Sequence, residues 1–536
     1  MNKVISIDGT TLKKMFINAA NTLDNNKELV DSLNVFPVPD GDTGTNMSLT
    51  MSSAVQELNI LRREEVGDVV EAVASGSLMG ARGNSGVILS QLFRGFASKL
   101  KSEKTLDTVG FAKAIREGVE TAYKAVMKPT EGTILTVARE TADRANDICE
   151  SAKDFDDFLE DILRQAASTL DRTPQMLNVL AQAGVVDAGG KGFLYILLGF
   201  LKAIRGEEII LNGRNRPMPV EDVVVEDIID GEDLKFPYCT EFIIKKPKGD
   251  AKQLKDTYFG LGDCTLVVGD ERIIKVHIHT DKPGRILEEG LKLGELSRIK
   301  IENMKEQHRS TIEKEIEQKE FGFISVVMGE GFMDLFKDLG VDSIIQGGQT
   351  MNPSTQDIVN AIEGLWAKNI FILPNNGNII LAATQAGELS DKNVFVVPSK
   401  SMPQGIAAMI AFNSMQGAQY NLEDMKEAIG NVKTGQVTYA VRDSVFDDIE
   451  MHEGDIIGIA EGRIQTKGED VDEVALELVS SLAEDGNDVI TVFYGEQVTE
   501  EQAKALADRL KSEMPDCEIE VHYGGQPVYY YVISVE

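Results

Sequence analysis

Asn34-Val-Phe-Pro-Val-Pro-Asp-Gly-Asp-Thr-Gly-Thr-Asn-Met47 is the stretch on which the reading of this chain depends. Two prolines stiffen the approach to Asp40-Gly41-Asp42, where two carboxylates stand two positions apart. Carboxylates held that closely repel each other unless a cation lies between them. Donors that are all oxygen favour magnesium or calcium over zinc. Thr43, Gly44, Thr45 and Asn46 then bring hydroxyls, an amide and a glycine to the start of a helical segment, whose free N–H groups can hold phosphate oxygens. A bare Asp-Gly-Asp is more often a capped surface turn; the proline-flanked context sets this one apart.

Three more loops of related kind lie outward from this one. Gly80-Ala-Arg-Gly-Asn-Ser-Gly86 carries three glycines with Asn84 and Ser85. Glycine there lets backbone approach a ligand closely, although a plain helix connection reads equally well. Lys128-Pro-Thr-Glu-Gly-Thr133 ends on Gly132 and Thr133, and Gly184-Val-Val-Asp-Ala-Gly-Gly-Lys-Gly192 holds Asp187, Ala188 and Gly189. Each precedes a helix, so each alone is also an ordinary cap. Four in one helical region point to a cradle for a ligand. Arg82 is placed to meet developing charge, or equally to close a helix-end ion pair.

Residues 1 to 205 read as nearly all helix, with Leu12, Met15, Phe16, Ala19 and Leu23 at three- and four-residue spacing. Eight segments are expected, from about 11, 45, 66, 85, 109, 133, 155 and 189. Residues 206–235 are charged and proline-containing, a linker. Residues 236–315 read as a small α+β middle domain, and 320–536 alternate short apolar runs with helices. That alternation predicts an α/β C-terminal domain with a parallel sheet covered on both faces. The fold class expected is therefore multidomain: an all-α N-terminal domain, a small α+β middle domain and an α/β C-terminal domain.

Composition narrows the function. The chain has 536 residues, 54 basic against 87 acidic, a net charge of −33. Such a surface repels nucleic acid and anionic lipid. The four cysteines, Cys149, Cys239, Cys264 and Cys517, show no paired spacing, which fits a reducing compartment. The start of the chain carries no long apolar core, and the run from Phe193 to Ile204 is too short to span a bilayer. A soluble cytoplasmic protein without a membrane segment is expected.

Two later features invite binding roles. His277 and His279 share one face of a predicted strand, with Cys239 near the start of the same unit. These three could hold a structural zinc ion, or form a polar strand face beside a buried thiol. Gln346–Thr355, Leu373–Asn378 and Pro398–Gln404 follow predicted strands, at the sheet edge where open α/β folds bind ligands.

The helical region resembles the nucleotide-binding L domain of dihydroxyacetone kinases, matching at Asp40-Gly-Asp42, Thr43-Gly-Thr-Asn46, Gly83-Asn-Ser-Gly86 and Asp187-Ala-Gly189. The resemblance implies an eight-helix barrel with ATP and two magnesium ions at one end. A third metal-binding aspartate of that family, about five residues upstream of the pair, has no counterpart here; Val35 stands there and Asn34 is the substitute ligand. The whole chain resembles the A component of fatty acid kinases, in the 34–47 run, the Gly184–Gly192 segment and the domain layout. Its end, including Gly524-Gly-Gln-Pro527, resembles the DegV-type fatty-acid-binding family.

What this resemblance implies is ATP-dependent phosphorylation of a fatty acid presented by a separate binding protein. The product would be an acyl phosphate for phospholipid synthesis. It also implies a homodimer, and a carrier that docks on the C-terminal and middle domains. No histidine occurs before His277, which suits a carboxylate acceptor that needs no general base. A dihydroxyacetone or small-polyol kinase, and a non-catalytic nucleotide-binding scaffold, are the competing readings.

Overall fold

The computed structural model describes the chain except residues 1–2, 35–40, 62, 127, 211–235, 246, 249–253, 255–256, 259–260, 270–272, 304–317, 349–350, 447–448, 461 and 484–488. For several strand residues of the middle segment, Cys239, Cys264 and His277 among them, the backbone alone is described. By internal contacts the chain divides into two compact units, one made of residues 1–216 with 320–536 and the other of 217–319.

The first half of the larger unit is helical. Its long helices are α1 (Gly9–Asp24), α3 (Thr43–Ile60), α4 (Val66–Met79), α5 (Gly83–Leu100), α6 (Thr108–Ala125), α7 (Ile134–Ile148), α8 (Phe155–Asp171) and α11 (Ala188–Ile204), with short α2 (Lys27–Asp31), α9 (Thr173–Met176) and α10 (Asn178–Ala183) between them. Each long helix packs on the next, and α11 returns to α1. The cause is legible in α1: Leu12, Met15, Phe16, Ala19 and Leu23 form one fully buried stripe. Asp8 fixes its start by accepting from the Thr11 N–H at 2.8 Å. Phe16 meets Phe93 and Phe200 edge-on, at 5.5 and 5.1 Å between ring centroids, so the stripes of three helices share one aromatic core. Gly95 and Gly118 bring α5 and α6 unusually close; a Cβ on Gly95 would stand 2.4 Å from the Glu117 carbonyl oxygen. A two-stranded pairing of β1 (Ser6–Asp8) with β2 (Thr105–Asp107) ties the ends of α1 and α6.

The second half of the larger unit holds two sheets. The first joins β7 (Lys319–Val327), β8 (Ser343–Gln346), β9 (Ala367–Leu373) and β10 (Asn393–Val396) in the order β10-β9-β7-β8. The β9–β10 and β7–β8 pairings are parallel, as the alternating pattern predicts. Helices α13 (Glu330–Asp338), α14 (Thr355–Gly364), α15 (Ile380–Leu389), α16 (Met402–Ala411) and α17 (Ala418–Asn431) connect and flank them.

The second sheet departs from the parallel expectation. It comprises β11 (Lys433–Tyr439), β14 (Ile456–Ala460), β15 (Arg463–Gly468), β16 (Val489–Tyr494), β17 (Glu518–Tyr523) and β18 (Tyr531–Val535), in the order β15-β14-β11-β18-β16-β17. The pairings are antiparallel except β16 with β17. The physical reason is connection length: β14 and β15 are joined by two residues, which permits a hairpin and forbids a parallel crossover. A small hairpin of β12 (Ser444–Phe446) and β13 (Ile449–Met451) follows β11, and helices α18 (Val471–Leu482) and α19 (Glu500–Glu513) complete this part.

The two halves share buried surface. Ala81 and Val87 pack into the cluster of Ile324, Ile358, Ile372 and Ile379, and Val179 packs against Phe446, Ile457 and Ile459. The Thr355 N–H donates to the Ala81 carbonyl at 3.0 Å.

The smaller unit contains an antiparallel sheet in the order β4-β5-β3-β6, from β3 (Tyr238–Lys245), β4 (Gly262–Gly269), β5 (Ile273–Thr280) and β6 (Glu295–Asn303). Helix α12 (Pro283–Leu293) lies against it, with Ile286 in a core of Phe242, Ile244, Tyr258, Ile274, Val276 and Ile278. The buried Tyr258 hydroxyl donates to the Ile286 carbonyl at 2.9 Å.

Candidate functional site

The loops singled out in the sequence converge. Leu33, Asn34, Gly41, Asp42, Thr43, Asn46, Asn84, Ser85, Ile88, Thr133, Ile134, Asp187, Ala188 and Gly189 line one cavity of about 500 Å³. The first turns of α3, α5, α7 and α11 all face it, and such turns carry N–H groups without helical partners. Four helix N-termini meet at one space; the starts of α3, α7 and α11 already give N–H groups to carboxylates, and the start of α5 carries no side-chain cap.

Each wall has a local cause. Gly83 starts α5 with φ of +56°, and a Cβ there would lie 2.5 Å from the Asn46 side-chain nitrogen. Glycine thus allows α5 to begin against α3. The Ser85 hydroxyl reaches the Thr43 carbonyl at 3.5 Å. Asn84 donates to Asn378 Oδ1 at 3.3 Å, while its own Oδ1 is buried without a hydrogen-bond partner. That orphaned oxygen is a group which a ligand donor would satisfy. Gly132, at φ +82°, does not line the cavity; it turns the chain so that Thr133 takes the N-cap position of α7.

Asp187 sits between two helix starts. Its carboxylate accepts from the Gly190 N–H at 2.6 Å and also from the Ile134 N–H. Burial pushes its pKa up to about 6, against the lowering effect of those bonds.

Not every expected contact is formed as the sequence suggests. The Gly44 and Thr45 N–H groups donate to Asp31 Oδ1, at 2.6 and 3.1 Å, and the Thr45 hydroxyl donates to Asp31 Oδ2 at 2.8 Å. Asp31 therefore takes the anion position at the start of α3, and Thr43 and Asn46 are left to face the cavity. Asn34 accepts from the Thr43 hydroxyl at 2.7 Å and donates to the Asp31 carbonyl at 2.9 Å. Asp40 lies outside the described residues. Arg82 donates to the Asn352 carbonyl at 2.7 Å and stands 3.7 Å from the Asp357 carboxylate, the ion-pair role the sequence offered beside the catalytic one. Both partners belong to the C-terminal half.

Sequence reasoning missed the far wall. Asn378, Gln436, Ile459, Gly462 and Tyr529 close the cavity from the C-terminal half. The Asn352 amide donates to the Asp42 carboxylate, and the half-buried Arg442 guanidinium donates to the Asn34 carbonyl. Desolvation lowers the Arg442 pKa. Asn352 and Asn378 belong to loops that the sequence did single out, as a sheet-edge ligand site; nothing local says that they turn toward residues three hundred positions earlier.

The zinc expectation gains no support. Among the described residues, no group of three or more His, Cys, Asp or Glu stands where it could hold a metal ion. The register sets Cys239 opposite His279 and Glu241 opposite His277, but the side chains of Cys239, Cys264 and His277 lie outside the described residues. Among the described residues no helix is long and apolar enough to cross a membrane.

Comparison with known proteins places the chain. Three family models match in succession: the DAK2 domain over residues 37–202, the middle domain of the fatty acid kinase FakA-like type over 235–311, and the C-terminal domain of the same FakA-like type over 322–536. Protein YloV of Bacillus subtilis (strain 168) is 43% identical over 552 residues, covering 99% of both chains. Uncharacterized protein SAR1202 of Staphylococcus aureus (strain MRSA252) is 42% identical over 549 residues, covering 99% of this chain and 100% of that one. Among solved structures, DegV family protein Cg2579 from Corynebacterium glutamicum aligns at TM-score 0.32 and 16% identity, over 40% of this chain and 98% of its own. The dihydroxyacetone kinase from C. freundii in complex with AMP-PNP and Mg2+ aligns at 0.30 and 14%, over 36% of this chain and 34% of its own. Scores that low decide nothing by themselves. Identity above 40% along practically the whole length, with all three models matched in order, settles the relationship: the chain belongs to the FakA-like family of fatty acid kinase components.

Proposed function

We propose that this protein transfers the γ-phosphoryl group of ATP to the carboxylate of a fatty acid presented by a separate fatty-acid-binding protein, giving an acyl phosphate. The observation that carries this reading is the meeting of four helix N-termini, with Asn84 and Asp42, at one cavity of about 500 Å³. That volume lies in the range of small-molecule sites, ~300–1,000 Å³. We read the ring of eight long helices as the barrel that the family resemblance implies.

Phosphoryl transfer depends on positioning and charge neutralisation more than on covalent help from the protein. The N–H groups at Ser85, Ala188 and Gly189 orient phosphate oxygens, while the Thr43 and Thr133 hydroxyls, which donate to Asn34 Oδ1 and the Thr130 carbonyl, hold the loops around them. The Asn84 amide supplies an acceptor for a donor on the nucleotide. Asp42 and the Asn34 side-chain oxygen, joined by Asp40 two positions earlier in the chain, would supply an all-oxygen donor set of the kind magnesium takes. Magnesium, when bound, neutralises phosphate charge. Asn352 steadies the Asp42 carboxylate and Arg442 steadies the Asn34 backbone, so the C-terminal half holds these two donors in place. A carboxylate oxygen of the fatty acid attacks the γ-phosphorus, and the bond to the bridging oxygen of ADP breaks. The acceptor is already ionised near neutral pH, so no base is needed.

The C-terminal half is read as the docking platform for the carrier, together with the middle unit. The cavity among Phe332, Asn375, Ser401, Gln526 and Tyr529 holds about 120 Å³. That is below the usual range for small-molecule pockets and supports docking over storage of an acyl chain.

The test is ADP release from ATP and magnesium with oleate, with and without a fatty-acid-binding protein, beside a reaction with dihydroxyacetone. Turnover that needs the carrier supports the proposal. Turnover with dihydroxyacetone and none with oleate-loaded carrier overturns the acceptor.

A further inference from the structure

A second cleft lies away from the candidate nucleotide site, where α5 and α6 face α15. It holds about 400 Å³ and is lined by Gln91, Arg94, Lys124, Thr384, Gln385 and Glu388, among others. Three observations mark it. Gln385 is 7% exposed and lines the cleft, yet its Nε2 and Oε1 are both buried without a hydrogen-bond partner. A buried amide with donor and acceptor both unused is a costly feature that a ligand removes. Arg94 and Lys124 are exposed at the same cleft and, among the described residues, neither forms an ion pair. Together they put two positive charges at one cleft in a chain of net charge −33. Glu388, also without an ion pair among the described residues, supplies an acceptor on the α15 side.

We infer that this cleft binds a small hydroxylated anion, a polyol phosphate or a hydroxycarboxylate. The anionic group lies on Arg94 and Lys124, which match a phosphate or carboxylate in charge and donors. The hydroxyl groups donate to Glu388 and Gln385 Oε1, and the Gln385 amide donates back.

The position makes the ligand a coupling element. Its walls continue into the walls of the candidate nucleotide site: α5 carries Asn84 and Ser85 in its first turn and Gln91 and Arg94 further along, and Asn378, which accepts from Asn84, lies just ahead of α15. A molecule bridging α5 and α15 holds those two walls together. This coupling rests on the proposed function, whereas binding in the cleft does not.

The experiment is thermal denaturation of the full chain, without magnesium or nucleotide, titrated with glycerol 3-phosphate, citrate or inorganic phosphate. Wild type, Arg94→Ala/Lys124→Ala, Gln385→Leu and Asp42→Ala are compared. The expected result is a saturable rise in Tm with glycerol 3-phosphate or citrate, retained in Asp42→Ala. In the double variant the half-saturating concentration rises about tenfold or more, as loss of paired charges predicts. Gln385→Leu raises the ligand-free Tm and weakens the same ligand. A response to both phosphates but not citrate selects the phosphate class, and the converse selects the carboxylate class. The absence of a saturable shift with any of the three overturns the inference. So does a shift that the double variant keeps and Asp42→Ala loses. The exposed Arg94 and Lys124 carry no partner among the described residues, so the double variant folds. ATP turnover measured in parallel reports on the proposed function separately.

Discussion

The side-chain amide of Asn352 donates a hydrogen bond to the Asp42 carboxylate, joining two residues 310 positions apart. Asn352 is 1% exposed, so the bond is shielded from water. It makes the C-terminal half part of the candidate metal site. Replacing a partner that orients a metal-holding carboxylate typically costs about 10–100-fold in affinity. Asn352→Ala is therefore expected to raise the magnesium concentration for half-maximal turnover about tenfold, with kcat at saturating magnesium changed far less. An unchanged magnesium requirement would mean that Asp42 is held without Asn352.

Arg82 separates a structural from a catalytic role. Its bond to the Asn352 carbonyl and its proximity to Asp357 predict that Arg82→Ala lowers stability by about 1–3 kcal/mol, because a buried carbonyl loses its donor. Arg82→Lys should recover part of that loss. The urea midpoint and kcat, read together, decide the matter. A drop of about a hundredfold or more in kcat with an unmoved midpoint would instead mark a guanidinium acting on the reacting phosphate.

Gly83 is a single-atom test of the cavity wall. Its φ of +56° disfavours any side chain, and an added Cβ would press on Asn46, which is 3% exposed and faces the cavity. Gly83→Ala is expected to lose about 1 kcal/mol or more of stability. It should also raise the KM for ATP, because Asn46 must shift. A variant with wild-type KM would detach Asn46 from nucleotide binding.

Asp187 predicts a pH signature. Its folded pKa, raised by burial to about 6, exceeds the usual 3.8. The folded state thus holds the proton more tightly. The stabilisation is full below about pH 4 and is lost as pH rises through 6, by up to about 3 kcal/mol. Asn cannot ionise yet can accept the same N–H bonds. Ligand-free Asp187→Asn should be more stable than wild type at pH 7.5, with the difference closing as pH falls toward 4. Denaturation across that window checks it; a gap of constant size would remove burial as the cause.

Much of the helical half was legible in the chain itself. The expected helix starts fall within two residues of the observed ones, because each follows a break in an apolar stripe, with a capping aspartate at Asp8, Asp107, Asp154 and Asp187. The glycine and asparagine loops gathered at one cavity for the same reason: helices that pack side by side in sequence order bring alternate ends together. Arg82 and the far wall were not legible. The contacts of Asn352, Arg442 and Tyr529 depend on how two halves dock, and no local periodicity encodes that. The mixed second sheet was misread because short apolar strands look alike in parallel and antiparallel sheets; the two-residue connection between Ala460 and Arg463 held the decisive signal. Asp31 was overlooked because its partners lie 13 and 14 residues ahead, beyond any capping pattern.

The central claim, phosphoryl transfer to a fatty acid carboxylate at the four-helix-end cavity, is tested most directly by trapping the product. Protein, ATP, magnesium and an oleate-loaded fatty-acid-binding protein are incubated with hydroxylamine, which converts an acyl phosphate to a hydroxamate, and oleoyl hydroxamate is measured against ADP formed. The account predicts equal amounts of the two, dependence on the carrier, and loss of both in an Asp42→Ala variant that keeps the wild-type Tm. ADP release without hydroxamate, or hydroxamate undiminished in Asp42→Ala, would contradict it.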